Sequence, residues 1–398
     1  MQYRKLTKDG PDISLLGYGC LRFPTKGGNI LKEETIKQMK YAFDQGVNYY
    51  DTAYPYHGGK SEVVLGEFLK QYDIRNEVYI ADKLPTFLIV KKEQIEKFFT
   101  TQLKRLDTDY IDYYLMHMLT SYRDWQKLKE FGILKFIEEK KATGAIHYIG
   151  FSFHGQPEEF MQILEDYTWD FCQIQYNYLD VNHQAGEKGL KRAYELGIGV
   201  AIMEPLRGGM LATKAPDRVK QIVLQDEEQL STAYWGLRFV MNHKEVSTVL
   251  SGMNDISHIQ ENIEVAKQTL PDSLTVHQVQ IIEQIKQVYD ELMKVTCTGC
   301  NYCMPCPKGV DIPATFSDYN SISFFGNSRT KKLRYMGRCV GLFGDGKSGA
   351  DLCVSCGKCM QHCPQSIDIP QKLQAAHQEL DNAIVHGVMQ LIAKIMGK

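Results

Sequence analysis

Short apolar runs rich in β-branched and aromatic residues recur along most of the chain, and amphipathic stretches separate them. The runs predict strands at residues 15–21, 47–52, 78–84, 111–117, 146–152, 171–177, 198–204 and 247–253. Helical periodicity appears between them, for example at residues 34–43, 93–106, 133–142 and 227–241. Apolar strands that alternate with helices are typical of a parallel sheet covered on both faces. The pattern therefore predicts an α/β fold.

Eight strand–helix units in about 270 residues fit a (β/α)8, or TIM, barrel. An open doubly wound sheet would carry a Gly-x-Gly-x-x-Gly turn after an early strand, and this sequence has none. Residues 3–14, with Asp9-Gly10-Pro11 as the turn, predict a hairpin that closes the bottom of the barrel. We expect the barrel to span residues 1–290 and a second domain with a C-terminal helix to span residues 291–398.

The second domain contains two cysteine runs that repeat one another. They are Cys297, Cys300, Cys303 and Cys306, and then Cys353, Cys356, Cys359 and Cys363. Each run ends in a Cys-Pro pair, and the sequence Val-Asp-Ile-Pro after the first pair returns as Ile-Asp-Ile-Pro after the second. In two-cluster ferredoxins the fourth cysteine of each run ligates the other cluster. The sequence therefore predicts a ferredoxin-like domain with two [4Fe–4S] clusters.

Zinc and disulfides are the alternatives for these cysteines. Structural zinc sites usually draw their ligands from separated pairs, whereas each run crowds four cysteines into a short segment. Disulfides need an oxidising compartment, and the polar start Gln2-Tyr3-Arg4-Lys5 lacks the apolar core of a secretory signal. No apolar stretch approaches the length of about 18 residues that a membrane span requires. We therefore expect a cytoplasmic protein with no membrane partner.

The remaining cysteines leave one question open. The first run has two residues before its last cysteine where the second run has three, so Cys306 is the less regular ligand. Cys339, between the runs, is an alternative ligand, although a lone cysteine is more commonly an ordinary buried residue. Cys20 and Cys172 lie in predicted strands and are expected to be buried apolar side chains.

The composition excludes one class of partner and suggests another. The chain is 43% hydrophobic and 24% charged, with a formal net charge of −2, which gives no electrostatic footprint for nucleic acid. A basic stretch lies between the cysteine runs, formed by Arg329, Lys331, Lys332, Arg334 and Arg338. It suits the docking of an acidic electron carrier such as a ferredoxin or flavodoxin, although a solvated helix face is the commoner explanation.

Polar side chains end most of the predicted strands. They are Asp51, Lys83, His117, Ser152, Asn177, Glu204 and Ser251. In a (β/α)8 barrel the active site is built at these carboxyl ends. Tyr56 follows Asp51 by five residues, in the sequence Asp51-Thr-Ala-Tyr-Pro-Tyr56. These side chains are therefore the first candidates for chemistry.

Three motifs carry a resemblance to a known family. They are Asp51-Thr-Ala-Tyr-Pro-Tyr56, the lysine that ends Ala81-Asp-Lys83, and the histidine that ends Tyr114-Leu-Met-His117. On these motifs residues 1 to about 290 resemble the aldo-keto reductase superfamily, and the whole chain resembles its subgroup with C-terminal iron–sulfur domains. The resemblance implies that Asp51, Tyr56, Lys83 and His117 are the catalytic residues of a carbonyl reductase or alcohol dehydrogenase that uses a nicotinamide cofactor.

These residue types suit that chemistry. A tyrosine has a pKa of about 10, so its hydroxyl stays protonated and can donate to a developing alkoxide. A neighbouring lysine cation stabilises the tyrosinate and lowers that pKa. Asp51 would hold the lysine, His117 would orient the carbonyl oxygen, and the cofactor would supply the hydride.

The resemblance also implies a set of cofactor-binding residues. Ser152 and Gln173 would hold the nicotinamide carboxamide, Met203, Leu206 and Gly208 would follow the nicotinamide and pyrophosphate, and Gly252, Met253, Glu261 and Asn262 would meet the adenosine end. The chain departs from the family in having Phe153 for an asparagine and Met203 for an aromatic residue. Gly252 and Met253 offer no cation for a 2′-phosphate, and His258 stands near an expected arginine. NADP(H) and NAD(H) therefore both remain open.

The combination of domains leaves the role of the clusters open. Nicotinamide transfers two electrons as a hydride, whereas a cluster carries one electron at a time, and a flavin commonly bridges the two. The sequence has no recognisable flavin motif, although barrels can bind FMN without one. The leading interpretation is an oxidoreductase whose clusters exchange electrons with the barrel chemistry. The alternatives are an electron-transfer or redox-sensing protein with the barrel as docking scaffold, or clusters that are purely structural.

Overall fold

The structure is a computed structural model that describes residues 1–227, 230–325, 329–342 and 346–395. It contains two compact units. The first comprises Met1–Leu206 and Ala233–Val279, and the second comprises Arg207–Thr232 and Gln280–Lys398. The second unit therefore includes a segment that interrupts the first in sequence, which the predicted boundary at residue 290 did not anticipate.

In the described part of the chain, eight parallel strands close into a barrel. The strands of the chain are β1 (Tyr3–Lys5), β2 (Asp12–Ser14), β3 (Leu16–Gly19), β4 (Thr25–Lys26), β5 (Asn29–Ile30), β6 (Tyr49–Asp51), β7 (Tyr79–Leu84), β8 (Ile111–Leu119), β9 (Ile146–Phe153), β10 (Phe171–Gln175), β11 (Gly199–Met203) and β12 (Thr248–Ser251). The barrel consists of β3 and β6 to β12, and pairing of β12 with β3 closes it. All eight barrel strands overlap the predicted ones, and the predicted (β/α)8 fold is confirmed.

Helices follow the barrel strands and continue into the second unit. They are α1 (Lys32–Asp44), α2 (Lys60–Tyr72), α3 (Glu93–Leu106), α4 (Tyr122–Glu130), α5 (Ile133–Ala142), α6 (Pro157–Glu165), α7 (Gly186–Glu195), α8 (Asp217–Gln225), α9 (Thr232–Met241), α10 (Ile256–Gln268), α11 (Val276–Leu292), α12 (Ile312–Phe324), α13 (Arg329–Cys339), α14 (Ile369–Leu380) and α15 (Ala383–Ile395). The predicted bounds of α3 and α5 agree with those observed.

The prediction of one helix over residues 227–241 is wrong at its start. Helix α8 begins after Pro216 and ends at Gln225, where Asp226 adopts an extended backbone. Helix α9 begins only at Thr232, and residues 228 and 229 lie outside the described part of the chain. Pro216 is the N-cap residue of α8, and its ring fixes φ at −56° immediately before the first helical residue.

The N-terminal hairpin packs under the barrel, as predicted. β1 and β2 pair antiparallel, with Tyr3 opposite Ser14. Leu6 and Ile13 are fully buried in a cluster with barrel residues such as Tyr113. A Cβ atom on Gly199, the first residue of β11, would lie 1.7 Å from the carbonyl oxygen of Leu6. Only glycine allows this close approach, which fixes the hairpin at the amino ends of the strands.

The repeated sequence of the second unit produces a repeated helix start. The side chain of Asp311 accepts a hydrogen bond from the backbone N–H of Ala314 (3.1 Å) at the start of α12. Asp368 does the same for Gln371 (3.2 Å) at the start of α14. In both cases isoleucine and proline fill the first two helical positions. Such capping satisfies amides that have no partner within the helix, so the Asp-Ile-Pro repeat codes for two equivalent turns.

The segment that begins at Arg207 is hydrogen-bonded to other residues of the second unit. The guanidinium of Arg207 donates to the sulfur of Met293 (3.0 Å) and to the carbonyl oxygen of Thr296 (3.3 Å). The hydroxyl of Tyr289 donates to the carbonyl oxygen of Met210 (2.6 Å). The segment that follows β11 is therefore held by the residues just before the first cysteine run. No helix among the described residues is long and apolar enough to cross a membrane.

Candidate functional site

The four predicted catalytic side chains are brought together at the carboxyl ends of three neighbouring strands. Asp51 is the last residue of β6, Lys83 lies near the end of β7, and His117 lies near the end of β8. Tyr56 begins a short 3-10 turn after β6. All four side chains are buried, and Lys83 is 0% exposed. A lysine is almost never fully buried unless it is paired, so this position requires partners.

Lys83 has those partners. Its ammonium nitrogen donates to Asp51 Oδ1 (2.6 Å) and to the carbonyl oxygen of Thr52 (2.6 Å). The same nitrogen lies 5.0 Å from the centre of the Tyr56 ring. The rings of Tyr56 and His117 are 6.0 Å apart and nearly perpendicular. The arrangement places a cation and an imidazole next to the tyrosine.

Burial shifts the acid–base properties of the site. It raises the pKa of Asp51, and the neighbouring Lys83 ammonium opposes that shift. Burial also lowers the pKa of His117 well below its usual range, with further contributions from Lys83 and His154. The pKa of His154, which is also buried, falls to about 4 for the same first reason. His117 is therefore a neutral imidazole at neutral pH, able to donate a hydrogen bond but not to act as an acid.

We predict that the imidazoles of His117 and His154 do not gain a proton between pH 8 and about pH 5.5, since burial keeps their pKa values below the reference value of about 6.5. Nitrogen NMR of histidine-labelled protein, with signals assigned by His117→Gln and His154→Gln, measures this directly. A titration of either ring with a midpoint above about 6 would contradict the electrostatic picture of the site.

A buried polar group behind Lys83 was not anticipated from the sequence. Asp82 is 0% exposed and accepts a hydrogen bond from the Lys83 backbone N–H (2.7 Å). Burial raises its pKa, as does the nearby carboxyl of Glu62. Arg105 pairs with Glu62 at 2.6 Å, and Gln102 donates to the Lys83 carbonyl oxygen (3.0 Å). These contacts fix the backbone on both sides of Lys83.

The residues expected to hold the nicotinamide lie side by side. Gln173 on β10 is in register with Ser152 on β9. Ser152 Oγ accepts a hydrogen bond from the backbone N–H of Met118 (2.7 Å), and Gln173 Nε2 lies 3.7 Å from the sulfur of Met203. The side-chain oxygen of Gln173 is buried without a hydrogen-bond partner among the described residues. A buried amide oxygen of this kind is ready to accept from a bound ligand.

Leu206 and Gly208, which with Met203 are expected along the nicotinamide and pyrophosphate, fall in different units. Leu206 closes the first stretch of the first unit, and its side chain packs on Gly236 of α9. Gly208 belongs to the second unit and has a positive φ of 62°. The segment turns sharply at this glycine, where a side chain would be strained.

The residues expected at the adenosine end cluster around the end of β12. Asn262 on α10 donates to Ser251 Oγ (2.9 Å). Met253 is buried, and its carbonyl oxygen accepts from the hydroxyl of Tyr18 (3.3 Å). Glu261 is half-buried on the same helix, and Gly252 is exposed. The side chain of Arg22, which sequence reasoning did not select, lies directly against Gly252.

The cysteine runs cross over in the second unit. One cavity of about 330 Å³, including space open to solvent, is lined by Cys353, Cys356 and Cys359 of the second run together with Cys306 of the first. A second cavity of about 310 Å³ is lined by Cys297, Cys300 and Cys303 together with Cys363. Ile312 lies between the two and lines both. Each cavity thus has four thiols, three from one run and one from the other.

The thiols of each cavity affect one another. The pKa of Cys303 is raised to about 12, first by burial and then by Cys297 and Cys363. The pKa of Cys359 is also raised, by burial and by thiols that include Cys353 and Cys306. Four thiolates in a poorly solvated cavity repel each other unless a cationic group binds there. The donor set therefore fits an iron–sulfur cluster, which binds thiolates.

The other three cysteines lie elsewhere. Cys339 lines neither cavity and is buried against Gly349, where a Cβ atom would lie 2.2 Å from its sulfur. Burial and then Asp351 raise its pKa to about 12. Cys20 and Cys172 are fully buried, and burial raises the pKa of both. All three have the surroundings of ordinary core cysteines.

Part of the basic stretch forms ion pairs within the protein. Arg334 and Arg338 both pair with the buried carboxylate of Asp318, Arg338 at 2.6 Å. The side chain of Arg329 lies outside the described residues. Lys331 and Lys332 are half-buried. The positive surface offered to a partner is therefore smaller than the count of basic residues suggests.

Comparisons with known proteins agree with this fold. The model of the aldo/keto reductase family matches residues 15–286, and that of a 4Fe–4S dicluster domain matches residues 296–367. An L-galactose dehydrogenase of Arabidopsis thaliana is 25% identical over 317 residues, which cover 74% of this chain and 97% of the plant protein. A probable aldo-keto reductase of Glycine max is 27% identical over 295 residues, with 65% and 82% covered.

The solved structures give the same result. The holo form of an aldo-keto reductase from Bacillus halodurans superposes with a TM-score of 0.60 at 25% identity. The match covers 72% of this chain and 96% of the bacterial one.

Proposed function

The chain belongs to the aldo/keto reductase family, and we propose that it is an oxidoreductase that reduces a carbonyl, or oxidises an alcohol, with NADP(H) or NAD(H) while two [4Fe–4S] clusters exchange electrons. The observation that carries the proposal is the buried Lys83 ammonium, bonded to Asp51 and lying against the ring of Tyr56. A desolvated lysine, a carboxylate and a tyrosine at the mouth of a barrel are the parts that positioned proton transfer requires.

Tyr56 is the proton donor in this proposal. Its hydroxyl gives its proton to the oxygen of the substrate carbonyl as that oxygen becomes an alkoxide. The Lys83 ammonium stabilises the tyrosinate that remains, and Asp51 together with the Thr52 carbonyl holds the ammonium in place. Neutral His117 donates a hydrogen bond to the same substrate oxygen and thereby orients it. For alcohol oxidation the same proton moves in reverse.

The cofactor, when bound, supplies or accepts the hydride. Ser152 and Gln173 would hold its carboxamide, and the unpartnered side-chain oxygen of Gln173 supports that role. The remaining proposed contacts are Met203, Leu206, Gly208, Gly252, Met253, Glu261 and Asn262. The hydrogen bond from Asn262 to Ser251 holds α10 at the end of β12, next to exposed Gly252, and supports a role for these residues at the adenosine end.

The clusters would be held by the two crossed sets of cysteines. Cys297, Cys300, Cys303 and Cys363 form one set, and Cys353, Cys356, Cys359 and Cys306 form the other. The shared lining of each cavity and the mutual effect of the thiols support this assignment. Bound clusters would transfer single electrons. Thiolate ligands of this kind suit the reducing cytoplasm.

Electrons would come from, or go to, an external acidic carrier such as a ferredoxin or flavodoxin. The half-buried Lys331 and Lys332 and the partly exposed Arg334 are the charges that support its docking. The second substrate would be a small carbonyl compound or alcohol.

The proposal is tested on full-length protein purified anaerobically. We expect NADPH or NADH to be oxidised in the presence of at least one aldehyde or ketone of a broad panel, and we expect the same nucleotide to bleach the visible absorbance of the clusters. If dithionite bleaches the clusters and neither nucleotide does, the clusters have a structural role. Failure of every carbonyl, with clusters that still accept electrons, would favour the redox-sensing alternative. The same spectrum would reveal a bound flavin.

A further inference from the structure

The first and last strands of the barrel bring two distant segments together. Ser251 of β12 is in register with Tyr18 of β3, so Gly252 and Arg22 both follow the carboxyl ends of adjacent strands. The backbones run close, because a Cβ atom on Gly19 would lie 3.2 Å from the carbonyl oxygen of Ser251. Residues 230 positions apart in sequence therefore meet at one place on the rim of the barrel.

The stem of Arg22 lies across Gly252. A Cβ atom at position 252 would meet the Cβ, Cδ and Cγ atoms of Arg22 at 3.0, 3.1 and 3.2 Å. The glycine is not required by its backbone, since Gly252 is absent from the residues with positive φ. Its lack of a side chain instead makes room for the arginine, whose guanidinium is carried past an exposed glycine.

The charge of Arg22 is not neutralised by the protein. Its side chain is half-buried, and no ion pair or hydrogen bond involves its guanidinium in the described part of the chain. A guanidinium stays charged at every physiological pH, and its planar fork matches the oxygens of a phosphate. The N-cap carboxylate of α10, Asp255, three residues after Gly252 in sequence, is bonded to Ser257 (2.8 Å). Arg22 is thus an uncompensated cation beside residues proposed to meet the cofactor.

We propose that Arg22 binds a phosphate group of the dinucleotide. The inference rests on the proposed function and deepens it. It supplies the cation that neither Gly252 nor Met253 provides. The phosphate is either the pyrophosphate, common to NADH and NADPH, or the 2′-phosphate of NADPH, and the two make different predictions for the same variant.

The test is to titrate NADPH and NADH into full-length wild type, Arg22→Met and Arg22→Lys. Binding is measured by calorimetry or by fluorescence. Arg22→Met keeps the stem over Gly252 and removes only the charged fork. We expect its Kd to rise by about tenfold or more, since hydrogen bonds to charged groups are the stronger class. Weakening of both nucleotides assigns the pyrophosphate, and weakening of NADPH alone assigns the 2′-phosphate.

Salt dependence separates a charge contact from a structural effect. Affinity of wild type should fall with ionic strength more steeply than that of Arg22→Met, and Arg22→Lys should recover part of the affinity. Arg123→Met, at an exposed arginine of α4, is the matched control and should bind as wild type does. If Arg22→Met binds both nucleotides like wild type, the inference is overturned and the proposed function stands. If wild type binds neither nucleotide, both fail.

Discussion

Replacing Tyr56 with phenylalanine should lower the turnover number for carbonyl reduction by about 10²–10⁴-fold, the range that a positioned general acid contributes. The substitution removes one hydroxyl and keeps the ring, which lies 5.0 Å from the Lys83 nitrogen and 6.0 Å from the ring of His117. Lys83 keeps its bonds to Asp51 and Thr52, so the site should remain assembled. Nucleotide affinity should therefore change little. Steady-state turnover and a nucleotide titration on the same preparation measure both quantities.

Tyr54→Phe is the matched control, because it removes the same atom two residues away. The Tyr54 ring packs on Phe98 and under the guanidinium of Arg105, contacts that a phenylalanine retains. Its turnover should stay within a small factor of wild type. Retention of more than about a tenth of wild-type turnover by Tyr56→Phe would remove the proton-donor assignment, since a lost general acid costs more than that.

The barrel and the cluster of polar residues at its strand ends could be predicted from the sequence because each depends on local signals. Continuous apolar runs mark strands buried on both faces, and the residue that ends each run faces the mouth of the barrel. Asp51, Lys83 and His117 could thus be selected without knowing any long-range contact. The crossing of the cysteine runs could likewise be predicted from the repeat, because in two-cluster ferredoxins the fourth cysteine of each run ligates the other cluster.

What the sequence did not reveal depends on contacts between distant segments. Arg22 and Gly252 meet only because β3 pairs with β12 to close the barrel. Glu62 of α2 and Asp82 of β7 come close only through the tertiary fold, and nothing in either local sequence marks a buried acid. The sequence places Arg334 and Arg338 in a run of basic residues, but it does not show that both side chains form ion pairs with Asp318 of α12. Periodicity predicts which face of an element is buried, but it does not predict which charged residue of another element will contact that face.

Cys306→Ala should disrupt one cluster, and Cys339→Ala should disrupt neither. Two [4Fe–4S] clusters correspond to about eight iron atoms and eight sulfides per chain. Cys306 lines a cavity with Cys353, Cys356 and Cys359, so its loss leaves three thiols at that cavity. Iron content should fall, towards about four atoms if the whole cluster is lost. Cys339 is buried outside both cavities, and its replacement should leave the iron count and the spectrum unchanged.

The two variants are informative because each removes one thiol, at positions between which the sequence spacing could not choose the cluster ligand. Loss of iron in Cys339→Ala with none in Cys306→Ala would reverse the assignment, and the irregular spacing of the first run would then reflect a lost ligand.

A further variant tests the crossing itself. Cys363→Ala should disturb the cluster of the first run, since Cys363 lines the cavity with Cys297, Cys300 and Cys303. If Cys306→Ala and Cys363→Ala each disturb a different cluster by electron paramagnetic resonance, each run contributes its last cysteine to the other's cluster. If both disturb the same one, the crossed assignment fails. Because bound metal and folding are coupled, intact absorbance of the remaining cluster shows in each variant that the unit has stayed folded.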